Sequence, residues 1–296
     1  MSKTVLLFPG QAAQFIGMGK HIYESEKKAR VILDAANDIL GYDLKKIMVE
    51  GPMETLTQTI YTQPAVYVHS MAVYASKSEG AEVSAVAGHS LGEISACVAA
   101  GVLNFEDGLR LVDKRARAMQ VACEAHPSTM AAVLGMDDEQ VESICESIDG
   151  VVPANYNCPG QIVISGTQEG IEKAVELCKE AGARRALVIA VGGAFHSPLM
   201  SSAQEELSSF ISGLDFSDAA IPIYHNVDAK PNQDASVVKT QLISQVTSPV
   251  RWTSTLENLI EDGYSSFIEV GGKGKILLGM LRKVSREVEG IQWHEE

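Results

Sequence analysis

Short apolar runs alternate with longer amphipathic runs along most of this chain. Residues 4–8 (TVLLF) and 83–88 (VSAVAG) are predicted to be buried strands, and residues 91–100 (LGEISACVAA) a helix. A strand, a tight turn and a helix in succession form the βα unit of a parallel sheet. Residues 26–40 and 63–78 are predicted as two further helices, the second apolar on most sides and therefore buried.

The pattern changes between residues 128 and 193, where the elements follow the order β-α-β-β-α-β. The predicted strands are 129–136, 151–157, 161–166 and 184–191, and the predicted helices are 137–148 and 167–182. This order is typical of a ferredoxin-like unit. We therefore expect an α/β protein whose large α/β-hydrolase-like domain, with a parallel sheet, comprises residues 1–127 and 194–296 and carries a small ferredoxin-like subdomain inserted at residues 128–193.

The remainder of the chain returns to the earlier alternation. A strand is predicted at residues 220–227, followed by two helices between residues 237 and 262. A second strand, 265–272, ends in two glycines and leads into a helix at 276–288. These elements complete the large domain.

The chain has 296 residues, a formal net charge of −14 and 46% hydrophobic residues. This composition is ordinary for a globular enzyme, and the negative charge argues against nucleic acid as the main partner. No apolar run approaches the roughly 20 residues of a membrane span, and the N-terminus does not resemble a secretory signal. We therefore expect a cytoplasmic protein with no membrane partner. The five scattered cysteines form neither a metal-binding pattern nor a disulfide framework.

Ser90 lies in the sequence GHSLGE, at the predicted turn between the strand 83–88 and the next helix. The spacing G-x-S-x-G is typical of a nucleophile elbow, a sharp turn that exposes the serine hydroxyl above the sheet. The first amides of the helix, that of Leu91 among them, then face the reacting group and can bind a developing oxyanion. The alternative is that small residues simply allow a strand and a helix to cross closely.

A nucleophilic serine needs a base, and the chain has seven histidines. His196 is the first candidate because it stands in VGGAFHSP, where a predicted strand ends in two glycines. Active-site loops commonly begin at such strand ends. His225, at the end of another predicted strand, is the second candidate. His89 adjoins the serine, so we expect its side chain to point away from that of Ser90.

Arg115 is the one cation predicted to point inward. The helix predicted over residues 105–123 carries an apolar stripe, and Arg115 falls on it, three residues after Val112 and four before Met119. Arg117 falls on the polar face of the same helix. A buried arginine needs an anionic partner, which is either an internal carboxylate in a structural ion pair or the carboxylate of a ligand.

Six segments, taken together, resemble a known family. They are FPGQ at residues 8–11, GHSLGE at 88–93, Arg115 in the next helix, NCPGQIVISG at 157–166, GAFHS at 193–197 and QVTSPVRW at 245–252. In this order they closely resemble the malonyl-CoA:acyl carrier protein transacylases of fatty-acid synthesis, and they span nearly the whole chain. The inserted small domain also matches the architecture of that family.

The resemblance implies a role for individual positions. Ser90 would carry the acyl group, His196 would be its base, and Arg115 would hold the malonyl carboxylate. The other implied roles are oxyanion binding by the amides of Gln11 and Leu91, orientation of His196 by a backbone carbonyl in the region of Gln245, contact with the acyl or pantetheine group by Asn157 and Gln161, and malonyl selectivity from the bulk of Phe195.

The implied activity is that of an acyl-carrier-protein S-malonyltransferase. Malonyl-CoA would acylate the serine with loss of CoA, and the phosphopantetheine thiol of acyl carrier protein would then take the malonyl group in a ping-pong exchange. Because the exchange joins two thioesters of similar energy, we expect neither a metal nor a redox cofactor. We also expect a monomer.

Two positions depart from the usual sequence of the family. Ala12 stands where a glycine usually follows FPGQ, so the backbone there has to accommodate a Cβ. The loop EVGGKGK at residues 269–275 lacks the usual proline and carries an extra lysine.

The acyl carrier proteins of this class are acidic, as the resemblance implies, so docking on this acidic chain requires a local basic patch. The candidates are Lys273, Lys275, Arg282, Lys283 and Arg286 near the C-terminus, and Arg184 with Arg185 on the small domain. The alternative for either cluster is ordinary solvated surface charge.

Three other functions remain open. The acceptor carrier protein can belong to polyketide synthesis instead of fatty-acid synthesis. A serine thioesterase would have the chain order Ser, Asp or Glu, then His, whereas Asp262 and Glu269 follow His196 here, and Asp137 and Asp149 lie in the predicted insert. A noncatalytic domain that binds carrier protein would need neither the serine nor the histidine in these contexts.

Overall fold

The computed structural model describes residues 3–295. In chain order, the strands are β1 (Lys3–Phe8), β2 (Ala85–Gly88), β3 (Ser128–Leu134), β4 (Val151–Cys158), β5 (Gln161–Thr167), β6 (Arg185–Ile189), β7 (Ile223–Tyr224), β8 (Pro231–Asn232), β9 (Tyr264–Val270) and β10 (Glu289–Trp293). The α-helices are α1 (Lys20–Ser25), α2 (Lys27–Leu40), α3 (Leu44–Glu50), α4 (Met53–Leu56), α5 (Thr59–Lys77), α6 (Gly92–Ala99), α7 (Phe105–Ala125), α8 (Asp138–Glu146), α9 (Gln168–Glu180), α10 (Ser201–Ser212), α11 (Ala235–Ser244), α12 (Trp252–Glu261) and α13 (Ile276–Val284).

A six-stranded sheet in the order β10-β9-β1-β2-β7-β8 forms the frame of the molecule, and every pairing except that of β7 with β8 is parallel. Strand β1 lies inside this sheet and is apolar at successive positions because both of its faces are covered. Leu6 and Phe8 face the core that α5, α6 and α7 share, whereas Val5 and Leu7 face the core that α12 and α13 cover.

A separate antiparallel sheet, in the order β4-β5-β3-β6, is built from residues 128–189. Helices α8 and α9 pack on it around their own apolar core, and the predicted order β-α-β-β-α-β is confirmed. Edge strand β4 is attached to the rest of the molecule, because the Tyr156 N–H donates to the Val250 carbonyl at 2.9 Å and the Val250 N–H donates to the Ala154 carbonyl at 2.8 Å. The protein is therefore mixed α/β, with a largely parallel sheet and a separate antiparallel sheet.

Two predictions for the second half of the chain are wrong in extent. The predicted strand 220–227 is only the two residues of β7, and one reason is that the Asn226 N–H donates to Glu93 Oε2 at 3.1 Å instead of to a neighbouring strand. The predicted helix 276–288 ends at Val284, and the chain continues into β10, an edge strand that the weak alternation EGIQW does not predict. Helices α1, α3, α4 and α10 and the two-residue strand β8 were also not predicted. The other predicted elements are present, with their ends shifted by a few residues.

Among residues 3–295, none of the helices has both the length and the apolar character that crossing a membrane requires. The five cysteines are free and buried.

Candidate active site

Ser90 occupies the sharp turn between β2 and α6 and adopts a left-handed backbone, with φ of 53°. The flanking glycines let the strand and the helix come together. A Cβ on Gly88 would lie 2.0 Å from the Gly92 carbonyl oxygen, and a Cβ on Gly92 would lie 2.0 Å from the Phe8 carbonyl oxygen. The close crossing and the exposed serine are therefore two results of one local sequence, and the predicted elbow is present.

The side-chain amide of Asn226 forms hydrogen bonds with the backbone of this turn. Its Oδ1 accepts from the Ser90 N–H at 2.7 Å, and its Nδ2 donates to the Gly88 carbonyl at 2.7 Å. One side-chain amide thus holds the backbone both before and at the serine, which helps to keep a non-glycine residue in a left-handed conformation.

His196 lies after β6 and reaches the serine hydroxyl. Its Nε2 is 2.7 Å from Ser90 Oγ, and its Nδ1 is 2.9 Å from the carbonyl oxygen of Gln245. Because a carbonyl oxygen only accepts, Nδ1 carries the proton and Nε2 is free to accept the proton of the serine. Burial, and next the positive charge of Arg115, lower the pKa of His196 from 6.5 to about 3. The imidazole is therefore neutral near pH 7 and able to act as a base.

Three of the four acids considered for a hydrolase triad are engaged elsewhere, and the fourth, Asp149, is exposed. Asp262 accepts a hydrogen bond from the Tyr224 hydroxyl, and Glu269 accepts from backbone N–H groups at the start of α13. Asp137 caps α8. The group that orients His196 is a backbone carbonyl, which is the arrangement that the resemblance implied.

Arg115, on α7, is 2% exposed and points at the serine, as its position in the helix predicts. Its Nη2 donates to Ser90 Oγ and to Gln245 Oε1, both at 3.0 Å. Its Nη1 donates to Gln63 Oε1 at 2.8 Å. These partners are all neutral, so Arg115 forms no direct ion pair with any residue between 3 and 295. Burial lowers the pKa of Arg115 from 12.5 to about 10, which leaves the guanidinium charged at neutral pH.

A cavity of about 410 Å³ opens at the serine hydroxyl. The predicted residues that line it are Gln11, Ser90, Asn157, Gln161, Phe195 and His196. Arg115 and Gln245 lie behind Ser90 and contact it, while Leu91 is buried and follows the serine directly. The structure therefore brings every predicted site residue to one place. In the described part of the chain, no three potential metal ligands converge.

The backbone N–H groups of Gln11 and Leu91 donate no hydrogen bond to any residue between 3 and 295. Donors left free beside a nucleophile are what an oxyanion site requires. Ala12 does adopt the conformation usual for glycine, with φ of 79°, and its N–H donates to Gln14 Oε1 at 2.8 Å. The loop after β1 therefore keeps its shape although it carries an alanine.

Replacing Ala12 with glycine should stabilise the protein by about 1 kcal/mol, since an L-residue in the left-handed region is strained by that order. The measurement is the free energy of unfolding in urea. Ala13→Gly is the matched control, because Ala13 is buried and has no positive φ, so that variant should be less stable than the parent. A loss of stability in Ala12→Gly would show that the strain at Ala12 is negligible.

The expectation for His89 is wrong. Its ring is not turned out of the site but lines the same cavity as Ser90, and its Nε2 donates to Asn157 Oδ1 at 2.8 Å. Burial lowers the pKa of His89, so the ring is neutral and can hold the Asn157 amide in one orientation. The second candidate base, His225, contacts Glu93 instead of Ser90, with Nδ1 2.7 Å from Oε1.

Three buried polar side chains of the site were not predicted from the sequence: Gln63, Glu93 and Asn226. Gln63 links two predicted residues, because it accepts from Arg115 and donates through Nε2 to Gln11 Oε1 at 3.1 Å. The available signal was a polar residue inside or beside an apolar run, as in QPAVYV and YHNV. A polar side chain that cannot avoid burial needs hydrogen-bond partners, and those partners often form a site.

A histidine-activated serine on a strand–helix elbow, with a buried cation at its hydroxyl, defines a serine-dependent enzyme that transfers acyl groups. The family model described as the acyl transferase domain matches residues 5–291 of this chain. A protein named malonyl CoA-acyl carrier protein transacylase from Bacillus subtilis (strain 168) is 45% identical over an alignment of 296 positions that covers 98% of this chain and 93% of the relative. The chain belongs to the acyl transferase family and, within it, to the malonyl CoA-acyl carrier protein transacylases.

Solved structures agree with this assignment. An acyl-carrier-protein S-malonyltransferase from Burkholderia pseudomallei 1710b has a TM-score of 0.94 and 39% identity, covering 98% of this chain and 95% of the other. A chain in the structure of a type II PKS acyl-carrier protein in complex with its malonyl-transacylase has a TM-score of 0.95 and 36% identity. The match covers 98% of this chain and 96% of that chain. The mixed α/β architecture with two sheets is thus shared along nearly the whole chain.

Proposed function

We propose that this protein moves the malonyl group from malonyl-CoA to the phosphopantetheine thiol of acyl carrier protein for fatty-acid synthesis, through a malonyl ester on Ser90. The observation that carries the proposal is that one hydroxyl lies 2.7 Å from a neutral imidazole and 3.0 Å from a buried guanidinium. The imidazole makes the hydroxyl nucleophilic, and the guanidinium supplies a charge that a neutral acyl group would not need.

In the first half-reaction, Ser90 Oγ attacks the thioester carbonyl of malonyl-CoA while His196 Nε2 takes the hydroxyl proton. The oxyanion of the tetrahedral intermediate accepts hydrogen bonds from the N–H groups of Gln11 and Leu91. The carbon–sulfur bond then breaks, His196 returns its proton to the sulfur, and CoA leaves with a malonyl ester remaining on the serine.

In the second half-reaction, the thiol of the carrier protein gives its proton to His196 and attacks the malonyl ester. The carbon–oxygen bond breaks, the proton passes to Ser90 Oγ, and malonyl carrier protein is released. Each half-reaction moves the acyl group between a substrate thiol and the Ser90 hydroxyl with no change of oxidation state, and the overall exchange joins two thioesters of similar energy, so we expect no metal and no redox cofactor.

Selectivity and placement of the acyl chain involve other residues of the cavity. We assign the malonyl carboxylate to Arg115, whose guanidinium can present two parallel donors. Phe195, 6% exposed and on the cavity wall, limits a branch on the acyl chain. Asn157 and Gln161, on β4 and β5, supply amide groups for the acyl or pantetheine portion.

The carrier protein is assigned to the basic side of the C-terminal helix. Lys273, Lys275, Arg282, Lys283 and Arg286 are all exposed. Three residues of α13, namely Ile276, Leu277 and Met280, line the cavity, so this basic surface borders the entrance that a pantetheine arm would use. Arg184 and Arg185 are exposed at the start of β6 and form the alternative patch. The neighbouring structure that holds a type II PKS carrier protein makes a polyketide acceptor the second candidate.

We assign residues 1–127 and 194–296 to an α/β-hydrolase-like domain and residues 128–193 to a ferredoxin-like subdomain. The support is the elbow at the end of β2 and the strand order β4-β5-β3-β6. A cytoplasmic location and a monomeric state stay predictions.

Intact-mass analysis tests the function directly. Mixing the enzyme with malonyl-CoA should add one malonyl group to it, and adding phosphopantetheinylated acyl carrier protein should move that group to the carrier. A thioesterase would release free malonate without loading the carrier, and a noncatalytic binding domain would gain no malonyl group. Either result would contradict the proposal.

Arg115→Ala should lower kcat/KM for malonyl transfer by at least about tenfold, because it removes a charge-assisted contact of roughly 1.5–3 kcal/mol. Transfer of acetyl, which has no carboxylate, should be unchanged or faster. Arg115→Lys should not restore malonyl transfer, since an ammonium cannot reproduce the two parallel donors. The measurement is kcat/KM for malonyl-CoA and acetyl-CoA in each variant.

Arg117→Ala is the matched control on the same helix. Arg117 is exposed and pairs with Asp113 at 2.8 Å, so its loss should change kcat/KM for neither malonyl-CoA nor acetyl-CoA. If Arg115→Ala lost both activities equally, Arg115 would be a structural residue and malonyl selectivity would have to come from elsewhere.

A further inference from the structure

We infer that Glu93 is a positioning residue for malonyl selectivity: it holds the side-chain amide of Gln245, and that amide holds Arg115 towards Ser90. The inference rests on the proposed function, because it concerns the same site. None of the three contacts that Glu93 makes is with a reacting atom, so it acts only through other residues.

Glu93 lies in the first turn of α6 and is fully buried. Its Oε1 accepts from His225 Nδ1 at 2.7 Å. Its Oε2 accepts from Gln245 Nε2 at 2.7 Å and from the Asn226 N–H at 3.1 Å. Both oxygens are therefore occupied, and the carboxylate cannot rotate without breaking a bond on each side.

The Gln245 amide has a different partner at each end. Its Nε2 donates to Glu93 and also to the Ser90 carbonyl at 3.0 Å, while its Oε1 accepts from Arg115 Nη2 at 3.0 Å. If the amide turned over, its oxygen would face the carboxylate and its NH₂ group would face the guanidinium. Both contacts would then be repulsive, because a carboxylate only accepts and a guanidinium only donates. Glu93, which accepts the shortest of these bonds, therefore acts together with the Ser90 carbonyl and with Asn226 Oδ1 at 3.3 Å to keep the oxygen of Gln245 towards Arg115.

This indirect arrangement keeps the charge of Arg115 available. A buried cation needs a compensating charge nearby, and the charge of Glu93 does raise the pKa of Arg115 against the larger effect of burial. A carboxylate in direct contact would occupy the fork of the guanidinium and repel a second carboxylate. With a neutral amide between the two, Arg115 is compensated from behind while its Nη2 still points at Ser90 Oγ, where a malonyl carboxylate has to be recognised.

The experiment measures kcat/KM for malonyl-CoA and acetyl-CoA in Glu93→Ala and Glu93→Gln. In Glu93→Ala the malonyl/acetyl ratio should fall by at least about tenfold, since the Gln245 amide loses its charge-assisted hydrogen bond at 2.7 Å, keeps the longer ones to the Ser90 carbonyl and Asn226 Oδ1, and holds Arg115 less firmly. Glu93→Gln keeps one acceptor oxygen for Gln245, and its NH₂ group can face His225 after that ring exchanges its tautomer. The ratio in Glu93→Gln should stay within about threefold of the parent, because the remaining hydrogen bond holds the amide.

Gln245→Leu gives an independent test should Glu93→Ala not fold. It removes the amide but keeps the backbone carbonyl that orients His196, so the ratio should fall as in Glu93→Ala. Glu269→Ala is the matched control, because Glu269 is also fully buried but accepts from backbone N–H groups at the start of α13, with Ile276 and Leu278 at 3.1 and 3.0 Å. It should lower Tm and leave the ratio unchanged.

Equal losses for both substrates in Glu93→Ala and Gln245→Leu would make this pair merely structural and overturn the inference. A Glu93→Gln variant as unselective as Glu93→Ala would also overturn the inference. In that case the negative charge of Glu93, and not its hydrogen bond to Gln245, would be responsible for malonyl selectivity. These outcomes differ from a failure of the proposed function. In that case the unmodified enzyme itself would transfer malonyl no better than acetyl.

Discussion

Ser90→Ala is expected to take up no malonyl group from malonyl-CoA and to lose activity by on the order of 10⁶-fold, the size of effect seen when a serine nucleophile is removed. The reason is chemical: among residues 3–295, Ser90 supplies the hydroxyl that lies 2.7 Å from His196 Nε2, and no second one takes its place. The measurement is the mass of the intact protein after brief exposure to malonyl-CoA, followed by identification of the modified peptide.

Ser95→Ala is the control for this variant. Ser95 is a buried serine on α6, the helix that follows Ser90, and within the described residues its hydroxyl has no hydrogen-bond partner, so labelling should be that of the parent. Labelling that survives in Ser90→Ala, or a malonyl group on a peptide without Ser90, would remove the serine from the mechanism.

The parts of the site that could be predicted are those set by local sequence. The elbow follows from GHSLG because the two glycines stand where a Cβ would lie 2.0 Å from a backbone oxygen, that of Gly92 for Gly88 and that of Phe8 on β1 for Gly92. The inward direction of Arg115 follows from the period of α7 alone. The assignment of roles to Gln11, Gln245 and Phe195 needed the resemblance to a family.

The polar residues behind the serine could not be predicted, because their partners are distant in sequence. Glu93 meets His225 and Gln245, more than 130 residues away in the chain, and only the tertiary fold brings them together. His89 was misjudged for a similar reason. Adjacent side chains usually diverge, but the left-handed backbone at Ser90 lets both residues line one cavity. Local patterns contain neither piece of information.

The same limit applies to the fold. The buried strand β1 was predicted because each of its apolar side chains is covered by helices on one face or the other. Strand β10 was not, since it pairs only with β9 at the sheet edge and is half-exposed, so its sequence has no clear alternation. Strand β7 is shorter than its apolar run because backbone groups beyond it bond to a side chain of α6.

His196→Ala should slow acylation of the enzyme by about 10²–10⁴-fold, the usual contribution of a general base. The measurement is the rate of malonyl uptake after rapid mixing with malonyl-CoA. His225→Ala is the contrasting variant, because its ring contacts Glu93 and not the serine. Its effect should be far smaller than that of His196→Ala. If the two variants exchanged these results, His225 would be the base.

The pH dependence of stability tests whether the imidazole of His196 is neutral in the folded protein. Burial first, and Arg115 second, hold the pKa of His196 at about 3 in the folded protein, whereas an unfolded histidine titrates at 6.5. Between these values the unfolded chain binds a proton that the folded protein does not. The stability that the neutral His196 contributes is therefore fully present above pH 6.5. It is lost as the pH falls towards 3, at about 1.4 kcal/mol of unfolding free energy per pH unit for such a group.

His69, whose pKa burial also lowers to about 3, contributes a slope of the same sign. The free energy of unfolding of His196→Ala should thus fall less steeply with falling pH than that of the parent. At pH 7 it should still be lower than that of the parent, because the substitution creates a cavity. The measurement is the free energy of unfolding in urea at pH 7, 6 and 5 for both proteins. An unchanged slope would mean that His196 binds its proton equally in the folded and unfolded protein, so that folding does not lower its pKa and burial is not what keeps the imidazole neutral.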